Sequence, residues 1–386
     1  MTTPVDFVRS LFVRIEPIPS GIYSFQTPPD APRQYRLHLR VEPDGSGVLI
    51  VNAATVLHLN RTATEYAYHL IRLTPQPQVA GAISSRYRVG KKEAEKHYQD
   101  FVERVQTLIH RPEIDPETFL DFDRRPPYST QLSAPYRLDC ALTYKVPPGT
   151  DQSAAPADQV KGELSAGEWE SILKKAWEAG VPHVVFTGGE PALRVDLSDL
   201  IEYSQRLGQV TGLISDGLRL NDPPFLAKVL QSGLDHLTLL LQPELPASWK
   251  ALEAALNSNL FTAVHLSLIP ETADQVADVL HRLSRMNIHA VSLSTDDPSL
   301  ARPLHTARDL SAHLGLKLVW DVAVPYGRFN PVALETETSA SGAGRAWLYV
   351  EPDGEVLPGQ GIHHVLGNLL LQPWATIWQK AKEFTA

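Results

Sequence analysis

The segment Phe186-Thr187-Gly188-Gly189-Glu190-Pro191 decides the fold of this 386-residue chain. It overlaps an apolar run that is typical of a buried strand, so the two glycines fall at a strand end. Glycine lets a ligand approach the backbone, and the Glu190 carboxylate accepts hydrogen bonds from a cationic amine. The same letters also suit a tight strand-to-helix turn in which Glu190 caps the next helix. The segment alone leaves both interpretations open.

The sequence on both sides of this segment alternates strand and helix patterns from about residue 134 onward. Ser165-Ala166-Gly167-Glu168 is a capping signal for a helix that Gly180 ends. Strand patterns occupy residues 137–144, 184–187, 210–214, 235–241, 262–268, 290–294 and 316–320. This alternation predicts a parallel sheet in an open or partial (β/α) barrel, with its chemistry at the C-terminal ends of the strands.

The first third of the chain has a different pattern. Residues 35–41 and 47–57 predict two strands joined by a Pro-Asp-Gly turn. Three helices follow: the first opens at a capping box, Thr62-Ala63-Thr64-Glu65, and the others cover residues 78–87 and 91–109. A proline-rich linker comes next. The pattern predicts a small winged-helix-like unit ahead of the barrel.

Composition and charge argue against some classes of partner. The net charge of −9 argues against nucleic acid, because phosphate binding needs a concentrated basic surface. No apolar run approaches the ~20 residues of a membrane span, and the N-terminus has no basic segment before an apolar core. We therefore expect a cytoplasmic protein. The single cysteine, Cys140, allows neither an intramolecular disulfide nor a thiolate-ligated cluster, and we interpret it as a buried core thiol.

The motifs together resemble the radical SAM peptide maturases. Four stretches carry this resemblance: the Gly-Gly-Glu-Pro segment, Leu193-Arg194-Val195-Asp196-Leu197 after it, Ser215-Asp216-Gly217, and Glu351-Pro352-Asp353-Gly354 near the C-terminus. The resemblance implies an α/β fold, with a partial (β/α)6 TIM-like barrel of radical SAM type over residues 134–322. It also implies a PqqD-like winged-helix domain at 1–112, a linker at 113–133 and a SPASM or twitch-like extension at 323–386.

The resemblance also implies binding sites. Residues that match the family's S-adenosylmethionine-binding segments are Gly188, Gly189, Glu190, Pro191 and Ser215. The PqqD-like unit would bind a leader peptide by adding it to an edge strand of the hairpin, over a helix groove. The residues expected there are Val48, Ile50, Tyr98, Phe101 and Val105. Alternatively, these aromatic residues pack on the barrel and hold the two domains together.

The chain departs from the family at its cluster ligands. Val146, Thr150 and Ser153 stand at the three positions of the Cys-x3-Cys-x2-Cys loop, and Gly359 stands where an auxiliary cysteine is usual. Neutral hydroxyls and a valine are poor ligands for iron and sulfide. From these residues we expect no iron–sulfur cluster, no other metal and at most weak S-adenosylmethionine binding.

The sequence therefore favours a cluster-less, non-catalytic pseudoenzyme. It would be a peptide-binding, scaffold or regulatory component of a modified-peptide pathway, with a leader peptide or a partner maturase as its partner. Two alternatives remain: an enzyme with non-radical chemistry at the mouth of the barrel, and a deliberately cysteine-substituted form of an active maturase. Catalytic activity, the identity of the partner and the oligomeric state are left open.

Overall fold

The computed structural model divides the chain into two compact units, Met1–Arg125 and Pro126–Ala386. It describes residues 18–111, 132–148, 160–319, 322–324 and 342–384, apart from residues 29, 53, 54, 88, 259 and 296. Thr150 and Ser153 lie outside these residues. Within the described parts, no helix combines the length and the apolar character that crossing a membrane requires.

The N-terminal unit is a four-stranded antiparallel sheet with three helices. The strands lie in the order β1 (Gly21–Gln26), β2 (Arg36–Val41), β3 (Gly47–Val51) and β4 (Thr55–Leu59). The helices are α1 (Arg61–Ile71), α2 (Gln76–Arg86) and α3 (Lys91–His110). Their apolar faces share one core with alternate residues of the strands. The predicted second and third helices are confirmed to within two residues.

The edge of this sheet is not where the sequence placed it. The predicted strand 47–57 is wrong, because the chain turns at Asn52, which adopts a left-handed φ of 53°. The Asn52 side chain accepts a hydrogen bond from the Arg36 backbone N–H, so the turn is anchored to β2. The predicted hairpin, β2 and β3, is therefore central, and the edges are β1 and β4. The first helix is capped by Asn60 rather than by Thr62.

The second unit is built on one nine-stranded sheet, in the order β10-β9-β8-β7-β6-β5-β11-β12-β13. Six parallel strands form its larger part: β5 (Arg137–Thr143), β6 (His183–Gly188), β7 (Val210–Ser215), β8 (His236–Leu240), β9 (Phe261–Ser267) and β10 (Ala290–Ser294). The connecting helices are α4 (Ala166–Ala179), α5 (Leu197–Leu207), α6 (Pro223–Gln231), α7 (Pro246–Asn257) and α8 (Val276–Arg285), followed by α9 (Ala301–His313). The predicted parallel α/β sheet is confirmed.

Local signals account for these elements. Helix α4 begins with the predicted capping box, in which the Glu168 side chain accepts from the Ser165 backbone N–H at 2.8 Å. It ends at Gly180, whose φ of 98° suits glycine. Cys140 is fully buried in β5, as predicted. Of the predicted strand 316–320, Leu318 forms an isolated bridge with Val291 of β10.

The C-terminal residues continue the same sheet. Strand β11 (Trp347–Val350) runs parallel to β5, and β12 (Glu355–Leu357) and β13 (Gly367–Asn368) follow in antiparallel order before α10 (Trp374–Phe384). The turn between β11 and β12 lies at the predicted Pro-Asp-Gly sequence, where the Gly354 N–H donates to the Glu351 carbonyl. The segment after residue 322, expected as a separate extension, thus belongs to the unit that contains the parallel sheet.

The two faces of the parallel sheet differ in polarity. We call the face that carries Ala141, Val185 and Ile214 the inner face; residues directly opposite one another on parallel strands share a face. The outer face carries aliphatic side chains such as Leu138, Val184, Leu213, Leu237, Leu266 and Leu293. The inner face carries buried polar residues as well: Asp139, Thr187, Thr238, His265 and Ser292. The inner face thus holds a buried carboxyl group and a buried imidazole, both of which can form hydrogen bonds with a ligand.

Candidate functional site

The strands β5, β6, β7, β9 and β10 end together at one edge of the sheet, which we call the carboxyl edge. The turn after β6 contains the Gly-Gly-Glu-Pro segment and lies against the end of β5. The Gly189 N–H donates to the Thr143 carbonyl at 2.6 Å, and the Glu190 N–H donates to the Lys145 carbonyl at 2.7 Å. The predicted position of this segment at a strand end is confirmed.

Both glycines are required by this close approach. Gly188 has a φ of 123°, and a Cβ there would overlap the Thr143 carbonyl oxygen. A Cβ on Gly189 would overlap the Lys145 carbonyl oxygen and lie 2.8 Å from the Tyr144 carbonyl carbon. The backbone that approaches these glycines is therefore the protein's own. This structural role stands whether or not a ligand also binds there.

Glu190 is buried at the centre of a hydrogen-bond network. Its Oε1 accepts from the Ala192 N–H and from the Ser215 hydroxyl, each at 2.8 Å, and its Oε2 accepts from the Asp216 N–H at 2.8 Å. The bond from Ala192 caps the helical turn Pro191–Leu193, as the turn interpretation predicted. Ser215 in turn accepts from the Gly217 N–H. The structure thus brings Gly188, Gly189, Glu190, Pro191 and Ser215 together.

The Arg194 side chain holds the same turn in place. Its guanidinium forms an ion pair with Asp196 at 2.7 Å and donates to the carbonyls of Leu142 and Leu164 at 3.1 and 3.0 Å. It joins the start of α5 to the end of β5 and to the residue before the α4 cap. The Leu-Arg-x-Asp-Leu sequence therefore fixes the turn on the sheet.

The electrostatics of the network come from two neighbouring carboxyl groups. Burial, followed by the charge of Asp216, raises the pKa of Glu190 to about 8, although its three donors act in the opposite direction. Burial also raises the pKa of Asp216. In the part of the chain that the structure describes, no lysine, arginine or histidine forms an ion pair with either group. The pair can therefore receive a cation such as an ammonium group.

Asp216 was missed as a site residue. It stands directly after Ser215 in one of the motifs that carry the resemblance, and this position was the available signal. Its Oδ1 accepts from the Leu218 N–H at 2.9 Å, which holds the side chain beside Glu190.

The expected cluster positions do not form a metal site in the described residues. Val146 lies in the loop after β5, half-buried, and Gly359 is buried after β12, with a notional Cβ 3.1 Å from Ala343 Cβ. No group of three or more metal-ligating side chains occurs in the parts of the chain that the structure describes.

The residues expected to bind a peptide are all buried, and they lie on two faces of the N-terminal sheet. Tyr98, Phe101 and Val105 of α3 pack in the core, where Tyr66 contacts the two aromatic rings. Val48 and Ile50 alternate with the core residues of β3 and so occupy the opposite face. The structure does not bring these five residues together into one groove.

A cavity lies beside the turn between β11 and β12. It is lined by Val160, Glu351, Asp353, Glu355, Leu357, His363 and Val365. The Tyr144 hydroxyl donates to Glu351, and burial raises the pKa of that carboxyl to about 7. The structure shows an acidic cavity here, apart from the Gly-Gly-Glu-Pro turn.

Comparison with known proteins finds similar proteins named PqqA peptide cyclase. No family model matches the chain. The chain is 29% identical to a PqqA peptide cyclase of Streptomyces rochei over 295 residues, which is 66% of this chain and 78% of that protein. It is 25% identical to the PqqA peptide cyclase of Rhizobium meliloti (strain 1021) over 66% of this chain and 76% of that protein.

Solved structures show the same fold. SuiB of Streptococcus suis bound to its precursor peptide SuiA gives a TM-score of 0.58 at 13% identity, covering 94% of this chain and 88% of that one. SuiB bound to S-adenosylmethionine gives a TM-score of 0.57 at 14% identity, covering 89% and 86%. The resemblance inferred from the motifs is confirmed.

The prediction about cofactors needs correction. We expected no iron–sulfur cluster and at most weak S-adenosylmethionine binding, because the cluster cysteines are absent. The comparisons contradict this expectation, since the relatives are radical SAM enzymes and SuiB was solved with S-adenosylmethionine. Inferring the loss of the cluster and the weakening of S-adenosylmethionine binding from the loss of the cysteines was wrong.

The residues nevertheless do not fit a cluster held by three thiolates. The sequence contains one cysteine, Cys140, which is fully buried within β5, and burial followed by the charge of Asp139 raises the pKa of its thiol. The carboxyl pair, by contrast, fits the amino group of S-adenosylmethionine.

Replacement of Gly189 by alanine tests the close approach. We expect Gly189→Ala to lower the free energy of unfolding by at least about 2 kcal/mol, because the added Cβ meets rigid backbone rather than a flexible side chain. Gly167→Ala is the control, since nothing lies within 4 Å of its Cβ near the start of α4. That change should be neutral or slightly stabilising. Urea denaturation measures both, and a Gly189→Ala protein as stable as the parent would contradict the packing.

The pH dependence of stability tests the protonation of Glu190. With a pKa of about 8 in the folded protein and an ordinary value near 4.5 when unfolded, Glu190 keeps its proton only in the folded state between pH 5 and 8. Its contribution to the free energy of unfolding therefore falls as the pH rises through this range. We expect Glu190→Gln to reduce this fall.

The control for this measurement is Glu168→Gln. The pKa of Glu168 is lowered by hydrogen bonds from Ser165, so its titration lies below pH 5 and the slope should stay unchanged. An unchanged slope in Glu190→Gln would show that the three donors keep Glu190 ionised.

Proposed function

Because the chain is a relative of the radical SAM peptide maturases, we propose that it binds a precursor peptide in a pathway that modifies such peptides. The observation that carries the proposal is the 29% identity to a PqqA peptide cyclase over 295 residues. The fold it shares with SuiB, which was solved with a bound precursor peptide, supports the same class of partner. Peptide binding, rather than a complete catalytic cycle, is the activity proposed.

The N-terminal unit offers two edges for strand addition. The Thr27 N–H donates to the Tyr35 carbonyl, so hydrogen-bonded pairs alternate along β1 and β2 from that point. By this alternation, the N–H groups of Ile22 and Ser24 point away from β2. When the alternation is followed through β3 to β4, the N–H group of Val56 points away from the sheet. An extended peptide pairs with such outward groups.

S-adenosylmethionine is the small molecule that we propose for the carboxyl edge. When bound in this family it supplies a reactive adenosyl group, and its amino group is a cation that suits a carboxylate pair. Glu190 and Asp216 would hold that group, while Ser215 and the Ala192 N–H fix the Glu190 carboxylate in place. The buried position of both carboxyl groups strengthens the attraction by excluding water.

Asp216→Asn tests this proposal with little change of shape. The amide oxygen can still accept from the Leu218 N–H, but one negative charge of the pair is lost. We expect S-adenosylmethionine to bind about tenfold more weakly by calorimetry at pH 7.5, since an ion pair becomes a neutral contact. Asp222→Asn, at an exposed position before α6, is the control. Equal affinity in Asp216→Asn and the parent protein would place the amino group elsewhere.

Proline substitutions at the two edges test peptide binding. Ser24→Pro removes an outward N–H of β1, and Val56→Pro removes one of β4, without breaking the hydrogen bonds within the sheet. We expect the variant at the edge that is used to lose at least tenfold in affinity for precursor peptides encoded beside the gene. The other variant should bind as the parent does.

Ser24→Ala and Val56→Ala, which keep the N–H, are the matched controls, and fluorescence anisotropy of the labelled peptide is the measurement. Circular dichroism of each variant shows that the fold is retained. Unchanged binding in both proline variants would exclude strand addition at these edges, and the absence of binding by the parent protein would contradict the proposed function.

A further inference from the structure

A second polar cluster lies at the carboxyl edge, on strands that the Gly-Gly-Glu-Pro turn does not touch. His265 of β9 faces Ser292 across the β9–β10 register, and Ser267 faces Ser294. His265 Nδ1 lies 3.1 Å from Ser292 Oγ, and its Nε2 lies 2.9 Å from Ser294 Oγ and 3.2 Å from Ser267 Oγ. His265 is opposite Leu240, which packs against the apolar residues of the inner face. The cluster therefore belongs to the inner face.

The histidine in this cluster is neutral. It is 3% exposed, and burial lowers its pKa to about 4. Its hydrogen-bond partners are three hydroxyl groups, none of which carries a charge. A neutral imidazole has one N–H and one nitrogen lone pair in its plane, so each ring nitrogen forms one strong hydrogen bond.

In either tautomer of His265, at least one hydroxyl group of this cluster has an O–H that the ring does not accept. If Nδ1 carries the proton, it donates to Ser292, and Nε2 accepts from one of the two other hydroxyls, with Ser294 the nearer. If Nε2 carries the proton, it donates to the oxygen of Ser294 or Ser267, and the ring then accepts a hydrogen bond from neither of these two hydroxyl groups. In both tautomers at least one O–H of this pair remains without His265 as its acceptor.

Ser267 is the member of the pair that a ligand can reach. It is half-buried at the last position of β9, whereas Ser294 is 1% exposed. In the part of the chain that the structure describes, the Ser267 hydroxyl has His265 as its hydrogen-bond partner and no other. An accessible O–H donor beside a buried imidazole is suited to an acceptor oxygen from outside the chain.

Because the cluster carries no charge, it favours a neutral acceptor group over an anionic one. A carboxylate or a phosphate would be buried against the neutral cluster without a cation, which is unfavourable. A carbonyl oxygen is neutral and accepts a hydroxyl hydrogen bond well. We propose that Ser267, oriented by His265, donates a hydrogen bond to a backbone carbonyl of the peptide substrate at the carboxyl edge. This inference rests on the proposed function, because it assigns part of the peptide's contact surface.

The position of Ser267 agrees with an extended ligand. Asp216 follows β7 and Ser267 ends β9, so two strand spacings separate them, about 10 Å. That is the length of about three residues of extended chain. A ligand on Ser267 thus has room beside one held at Glu190 and Asp216.

Ser267→Ala tests the contact in the full chain. We expect about fivefold weaker binding of the precursor peptide, the loss that one neutral hydrogen bond typically gives, with S-adenosylmethionine affinity unchanged. Ser267→Thr keeps the hydroxyl and should restore binding. Ser284→Ala removes a half-buried hydroxyl on α8, away from the carboxyl edge, and is the control.

A second measurement does not depend on the precursor peptide. N-methylacetamide, a model of one peptide carbonyl, should shift the 15N resonances of the His265 ring in the parent protein and not in Ser267→Ala. If the amide shifts these resonances but no precursor peptide binds, the proposed function fails, and what stands is that Ser267 donates to an amide carbonyl. If the peptide binds the parent and Ser267→Ala equally and the amide causes no shift, the inference fails and the function stands. Weaker S-adenosylmethionine binding with unchanged peptide binding would also overturn it.

Discussion

The turn after β6 lies against the end of β5 through two backbone hydrogen bonds, and the position of Glu190 depends on them. Gly188 and Gly189 allow this contact because a side chain at either position would overlap a carbonyl oxygen of the facing strand. Once the turn is held there, Glu190 lies below the N–H groups of Ala192 and Asp216 and beside Ser215. The network joins the ends of β6 and β7, and Arg194 joins it to β5. The absence of a side chain at two positions thus determines the geometry of the carboxyl edge.

The buried polar groups of the inner face are a cost to the stability of the fold. Burying hydroxyl, imidazole and carboxyl groups is favourable only if each finds a partner, and apolar residues would be simpler to bury. The outer face of the same strands uses that simpler solution, with Leu138, Leu213 and Leu237. Strand alternation separates the two solutions without any change of backbone. The outer face also buries the hydroxyl groups of Thr211, Ser215 and Thr262, whereas the buried imidazole of His265 and the buried carboxyl group of Asp139 lie on the inner face.

Much of the fold could be predicted because its signals are local. The capping box at Ser165, the stop at Gly180 and the strand–helix alternation each depend on a few neighbouring residues. The edges of the N-terminal sheet could not be predicted in this way. They depend on Asn52 turning the chain and on β1 pairing with β2, which is a choice among distant segments. The predicted edge strand was wrong for this reason, because β2 and β3 are the central strands of the sheet.

The candidate site was predictable only in its first half for a related reason. Gly188 to Pro191 are contiguous, so a motif reveals them, and Ser215 follows from a second motif. His265, Ser267, Ser292 and Ser294 are spaced as ordinary polar residues in two strands, and only the register of β9 with β10 brings them to one ring. The result is an edge with two chemically different ends.

Near β6 and β7 two carboxyl groups share a buried position without a counter-ion in the described residues, whereas at β9 and β10 the donors are neutral. A ligand with a cationic group and an acceptor oxygen about 10 Å apart would be oriented by this difference alone. The reverse orientation would leave the cation on hydroxyl groups and the oxygen facing carboxylates. The polarity of the edge therefore sets a direction along the sheet, independently of the cluster chemistry that the cysteines of the family provide.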